Sequence, residues 1–375
     1  MLRRGGCEGS IPTKLIGEAI QVSVEVTFPE ATMPVFMSLT GVPSNKQEET
    51  KKKVGKIPIK DICYIPLKGQ IAVLNPVIDK ISITYKIDDL DLKAALIESL
   101  LQEIEEETNT WKSSAFKKGS IQYKASAQLA IPSNSHSALV QIGPTKKNTS
   151  HSLRLEFNPA ALGASGIAFL KDQLESLVPE GLSYLDIITN GLVTRVDIAV
   201  DVVGVNLADL VVSAKDGGKH HWYHSAEGKP ETGYLGLKKS DKNAKWTAYN
   251  KRQQIKDSSG WPTVQAHGGL SHTRIEYRAT PNKTFLDLNS LKNPFFGISL
   301  AYPTAPKEIK PYIWSFFIDS CTRRGEVAAL AMVPEGKLRT RYQKSLEAAH
   351  ASFWRPSVIW TGWENALVSS GLLLE

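Results

Sequence analysis

Cysteine is scarce in this chain: three among 375 residues, at positions 7, 63 and 321, with no CxxC pair. That argues against a disulfide framework and a cysteine-based zinc site, and a reducing compartment is expected. No stretch approaches the ~20 apolar residues of a membrane helix. The start, MLRRGGCEGSIPTKLIGEA, has basic residues but no apolar run of secretion-signal length. A cytoplasmic protein without a membrane partner is the expectation. No Gly-x-x-x-x-Gly-Lys-Ser/Thr motif occurs, so an ATP-driven motor is not carried here. A local Ser–His–Asp signature is absent too. Gly233 and Gly236 are too sparse for a nucleotide loop, and tight packing or a bulge accounts for them.

What remains is an ordinary globular composition, 42% hydrophobic and 22% charged, with a net charge of +7 and a pI near 9.0. That excess is compatible with an acidic partner such as nucleic acid, but alone it decides little. The polar run NKQEETKKKVGK, residues 45–56, reads as a linker within an accessory region, 1–75, whose one feature is the alternation in IQVSVEVTF. Residues 76–285 alternate strands and helices. VIDKISITYKI places Ile81, Ile83, Tyr85 and Ile87 on one face, and DLKAALIESLLQEIEEE follows at helical spacing. GYLGLKK and KWTAYNK suit a hairpin around SDKNA. The expectation is an α+β fold, a mainly antiparallel sheet with helices on one face and an exposed polar face. Residues 286–375 read as a helical C-terminal unit: KPYIWSFFIDSCTRRGEVAALAMV, a helix stopped by Pro356, then VIWTGWENALVSSGLL.

Three strands carry acids on the face away from the helices. In RVDIAVD, a period of two sets Asp197 and Asp201 opposite Val196, Ile198 and Val200. In TRIEYR, Arg274, Glu276 and Arg278 share the polar face. In LRLEFN, Arg154, Glu156 and Asn158 do. Any half-buried sheet has a polar face, and cross-strand Glu–Arg pairs are ordinary stabilisers. Yet Asp is disfavoured inside strands, and RVDIAVD holds two. Oxygen ligands gathered on a rigid sheet suit Mg²⁺ or Mn²⁺.

From Lys238 to Lys256 there are seven Lys/Arg against one acid, Asp241, in a segment that also holds Trp246 and Tyr249. Basic residues interleaved with aromatics suit single-stranded nucleic acid; Lys238, Lys239, Lys245, Trp246 and Arg252 are the candidate contacts. A tyrosine hydroxyl is a poor nucleophile unless cations stabilise phenolate character. On these residues alone, Tyr249 reads as a strand residue before it reads as a nucleophile.

Taken together, VTRVDIAVDV, GYLGLKKSDKNAKWTAYNKRQQ and HTRIEYRAT resemble the replication initiation factor family, with VIDKISITY and LRLEFNP similar to its amino-terminal half. Its members are rolling-circle initiators of plasmids and filamentous phages, and relaxases of some conjugative elements. The resemblance covers about Pro76 to Thr280. It implies that Tyr249, in the Tyr-(Asn/Asp)-Lys motif, nicks one DNA strand and stays joined to the 5′ phosphate. It further implies a divalent ion, Mg²⁺ or Mn²⁺, among Asp197, Asp201 and Glu276, with Glu156 a weaker fourth. Lys251, Arg195 and Arg274 become candidates for stabilising phosphate charge. Expected partners are single-stranded or supercoiled origin DNA and a host helicase and polymerase. Where relatives often carry an acid three residues after the motif lysine, this chain has Gln254. A relaxase with the same chemistry, or a DNA-binding regulator without catalysis, are the alternatives. KHHWYHS, residues 219–225, lacks the His-hydrophobic-His spacing of another nicking superfamily and reads as a loop, with metal binding a minor option.

Overall fold

The computed structural model describes residues 71–106, 110–114, 123–132, 134–145, 152–215, 219–237, 245–257 and 270–373, with the backbone of 62–64. The linker at 45–56, the IQVSVEVTF alternation, Lys238 and Lys239 lie outside the described residues.

The fold is α+β, built on one twelve-stranded sheet whose pairings are all antiparallel. After a short β1 (Ile62–Tyr64) and β2 (Ala72–Leu74), the chain enters β3 (Val77–Tyr85). Helix α1 (Leu90–Glu105) follows, capped by the Asp89 carboxylate on the Asp91 and Leu92 amides. Strands β4 (Trp111–Ser113), β5 (Tyr123–Ala130), β6 (Ser137–Pro144) and β7 (Leu153–Phe157) then fold back so that β7 pairs with β3. Helices α2 (Pro159–Leu177) and α3 (Tyr184–Asn190) lead to β8 (Leu192–Val203).

The second half repeats this plan. After β9 (Val211–Ala214) come β10 (Lys219–His224), β11 (Pro230–Leu237), β12 (Trp246–Asn250), the short helix α4 (251–257) and β13 (His272–Ala279), which returns to pair with β8. The strand order β10-β11-β12-β13-β8-β3-β7-β6-β5-β4 is therefore two five-stranded meanders joined back to back through β3 and β8. The duplication extends to sequence: Arg154-Leu-Glu156-Phe157 on β7 matches Arg274-Ile-Glu276-Tyr277 on β13.

Alternation decides which face is buried. Ile81, Ile83, Leu153, Leu155, Phe157, Val196, Ile198, Val200 and Ile275 point into one core with Leu96 and Leu100 of α1 and Leu170 and Leu174 of α2. Four sequence readings change. The 219–225 segment is strand β10, not a loop: Trp222 alternates into the core while His221 and Tyr223 face out. The long C-terminal helix breaks at Gly325 (φ 85°) into α5 (Pro311–Arg324) and α6 (Glu326–Ala331). Helix α7 (Lys337–Ala349) ends before Phe353, and Pro356 opens α8 (Pro356–Trp360) instead of closing α7, at the first helical position where its missing N–H costs nothing. The final helix is split at Gly362, leaving α9 (Trp363–Ser369). Helices α5 to α7 build a small second core around Trp314, Phe317 and Tyr342, against Val211 of β9 and Ala301 of β14 (Ile298–Ala301). The residues of α8 and α9 join the main core instead, where the Trp363 indole donates to the Leu288 carbonyl at 2.9 Å. No helix among the described residues is long and apolar enough to cross a membrane.

Candidate active site

Strand register sets the polar face in rows. One row runs Tyr223, Thr232, Tyr249, Arg274, Asp201 straight across five strands. The next runs His221, Tyr234, Thr247, Glu276, and a third holds Arg278, Asp197 and Lys80. Residues directly opposite in neighbouring strands share a face, so these side chains gather without further help from the chain. Above them opens a cleft of ≈ 1130 Å³. One wall is α4 and the other is the start of α2, with His136 and Asn158.

The Tyr249-Asn250-Lys251 triplet makes a strand-to-helix corner. Tyr249, next to last in β12, faces the cleft, the Asn250 side chain caps α4 by accepting from the Gln253 amide at 3.1 Å, and Lys251 opens the helix. The Lys251 ammonium lies over the Tyr249 ring, 5.7 Å from its centroid, and donates to Gln254 Oε1 at 2.8 Å. Thus Gln254 accepts from Lys251 without neutralising it. Burial, then the charge of Arg274, lowers the Lys251 pKa.

Tyr249 is only 8% exposed, and its hydroxyl donates to Glu276 Oε1 at 2.5 Å. Burial raises the tyrosine pKa far above its ordinary value, and the Glu276 charge adds to that. Glu276 is itself pushed up to about 7, by burial first and the neighbouring Asp79 carboxylate second. A tyrosine that holds its proton this firmly is no nucleophile alone. It needs an acceptor within hydrogen-bond reach, and Glu276 is one, with a pKa suited to taking a proton near neutrality.

The other acids have different work. Asp201 receives Arg274 Nε and Nη2, each at 2.6 Å, and the His272 ring lies 3.0 Å away. Burial pushes the Asp201 carboxyl up, but Arg274 and His272 outweigh it and hold it well below the usual carboxylate range. Asp197 sits between two guanidiniums, accepting from Arg195 Nε at 2.9 Å and Arg278 Nε at 3.1 Å. Both aspartates are ion-paired to arginine and do not form a three-carboxylate cage with Glu276. Among the described residues no three His, Cys, Asp or Glu side chains form such a cage.

One carboxylate escaped the sequence reading. Strict alternation from Ile81 and Ile83 would bury Asp79, but a register shift between Ile78 and Lys80 makes Asp79 an extra residue and turns it into the cleft. It accepts from Arg274 Nη1 at 2.6 Å and Asn158 Nδ2 at 3.3 Å. The same Asn158 caps α2 through the Ala161 amide. Asp79 and Glu276 are cleft carboxylates whose repulsion, with a smaller one from Asp197, raises the Glu276 pKa, and an entering cation relieves it. Mg²⁺ needs one or two carboxylates plus phosphate oxygens and water, so this pair fits one.

The remaining candidates separate. Trp246 is no cleft residue: alternation puts it beside Ala248 on the core face, 2% exposed and packed on Tyr277 with ring centroids 5.5 Å apart. Lys245 is half-buried with its ammonium 5.0 Å from the Trp246 ring centroid. Arg252 is half-buried on α4 and outside the cleft lining. Glu156 lies in the other meander, held by Arg154 at 2.5 Å with Lys80 at 3.7 Å. There Gln141 faces Arg154 as Tyr249 faces Arg274, so the first half carries the frame of the site without its hydroxyl.

No protein-family model matches the chain. Over 162 residues it is 28% identical to a replication initiation protein of Staphylococcus aureus, a stretch covering 42% of this chain and 45% of that relative. A second replication initiation protein from the same organism is 30% identical over 144 residues, 37% of this chain and 41% of the relative. The chain thus matches less than half the length of these curated relatives. Within the matched stretch it is similar to replication initiators.

Proposed function

We propose that this protein initiates rolling-circle DNA replication by nicking one strand of its origin, with Tyr249 as the nucleophile. The observation that carries the reading is the 2.5 Å hydrogen bond from the Tyr249 hydroxyl to Glu276, at the floor of a cleft large enough for an unpaired strand. Similarity to replication initiation proteins supports the process; the hydroxyl–carboxylate pair supports the chemistry.

As the Tyr249 oxygen attacks phosphorus, its proton passes to Glu276. The new O–P bond forms as the bond to the 3′ oxygen breaks, and that oxygen takes a proton from water. The product is a 5′-phosphotyrosine and a free 3′ hydroxyl. Lys251, its ammonium over the Tyr249 ring, stabilises charge developing on the phosphate. Arg274 directs its three described hydrogen bonds to Asp201 and Asp79, so it braces the carboxylates and keeps a positive field beside Tyr249. A divalent ion, Mg²⁺ or Mn²⁺, would be held by Asp79 and Glu276 and would polarise the scissile phosphate.

The test is a denaturing gel of the protein incubated with labelled single-stranded DNA from its own replicon, with Mn²⁺ or with EDTA. A metal-dependent covalent adduct that Tyr249→Phe abolishes is the expected result. Nicked DNA with no protein attached would make water the nucleophile, and binding without cleavage would leave a DNA-binding regulator. A relaxase shares the chemistry and is separated by asking whether replication of the element requires the protein.

A further inference from the structure

Two strands from Tyr249, about 10 Å along the row, the polar face ends in three aromatic side chains that the proposed chemistry does not use. His221 and Tyr223 stand two apart on the edge strand β10 and so share a face, with ring centroids 4.8 Å apart at 78°. Tyr234, opposite His221 on β11, lies 6.0 Å from Tyr223 at 83°. Register puts all three on the face of Tyr249, and Tyr234 also lines the cleft. Tyr223 is 56% exposed and Tyr234 37%.

The alternate residues of β10 explain why these rings stay out. His220 Nδ1 lies 3.0 Å from the Thr322 carbonyl oxygen of α5, and Trp222 Nε1 donates to the same oxygen at 3.0 Å. That fixes the strand's other face to the helical layer, and the ring contacts of His221 and Tyr223 among the described residues are to each other and to Tyr234. Exposed rings on a rigid strand, next to a cleft with Lys251 and Arg278 in its lining, offer flat apolar faces beside positive charge. Unpaired nucleic-acid bases need that combination; duplex DNA, with its bases already stacked, does not.

We propose that His221, Tyr223 and Tyr234 form a stacking platform for bases of single-stranded DNA flanking the phosphate that Tyr249 attacks. The platform rests on the nicking reading for its purpose, but its binding can be measured without cleavage. The probe is a fluorescent single-stranded oligonucleotide from the protein's own replicon, followed by anisotropy with the full chain carrying Tyr249→Phe. Tyr223→Ala with Tyr234→Ala should weaken binding by about tenfold or more. Tyr→Phe at both positions should restore it, and Tyr→Leu should not. Affinity for a duplex of the same sequence should stay within about twofold. Unchanged single-strand affinity, equal rescue by leucine, or an equal loss on duplex each overturns the platform. Circular dichroism and melting of every variant keep a folding defect apart from a binding one. If the protein with Tyr249 intact forms no adduct while the alanine variant still loses single-strand binding, the platform stands and the nicking reading falls.

Discussion

Burial and the neighbouring Asp79 hold the Glu276 carboxyl up at about 7. Its folded pKa exceeds its unfolded one, so the contribution to stability is complete below the ordinary value near 4.5. It is lost as pH rises through about 7. Glu276→Gln, a neutral isostere that still accepts from Tyr249, should therefore match the parent at pH 4. At pH 8, in EDTA, it should be more stable by about 3 kcal/mol; with Mn²⁺ present, where the parent should form the covalent adduct, the variant should form none. Urea melts at the two pH values check this, and a variant less stable at both would refute the raised pKa. Asp201 has the opposite sign. Its depressed pKa makes a contribution present above about 4 and lost as pH falls below that. Asp201→Asn should cost about 3–5 kcal/mol at neutral pH, because the buried Arg274 guanidinium loses the charge it is bonded to.

Strands were the most readable elements, because a period of two both forms the strand and assigns its faces. Asp197, Asp201, Arg274 and Glu276 were placed on the polar face from spacing alone, and they lie there. Asp79 was missed because a single bulge inverts the alternation, and nothing in VIDKISITY marks where the extra residue falls. Trp246 was misassigned by composition: counting aromatics near lysines ignored the alternation that sets Trp246 on the face opposite Tyr249. The roles of the acids were not legible either, since whether a carboxylate meets a cation or a guanidinium depends on which strands become neighbours. At this scale Gly233 carries a prediction. An added Cβ would meet the Trp222 ring at 2.6 Å, so Gly233→Ala should force that ring away from Thr322. A loss of about 1–3 kcal/mol is expected from the overpacking, read by thermal melting.

Across the molecule, two similar meanders share one sheet while the hydroxyl is present in one of them. The helical layer covers one face and leaves the other open, where the cleft draws on both halves through Asp79, Asn158 and Glu276. With a net charge of +7 over the whole chain, binding to a polyanion should weaken as salt rises. Anisotropy between 50 and 300 mM NaCl should give a linear fall in log K against log salt, and Lys251→Ala should make the slope shallower by about one. An unchanged slope would remove Lys251 from the phosphate contacts.

The bond between Asp79 and Arg274 joins positions 195 apart in the chain. During synthesis the tyrosine emerges before the strand carrying Glu276 and Arg274, and β8 waits for that same strand to cover its edge. A nascent or truncated chain ending before His272 thus has the Tyr249 hydroxyl but neither its hydrogen-bond acceptor nor its brace. On the proposed nicking chemistry, such a chain should be unable to cut DNA until β13 is in place.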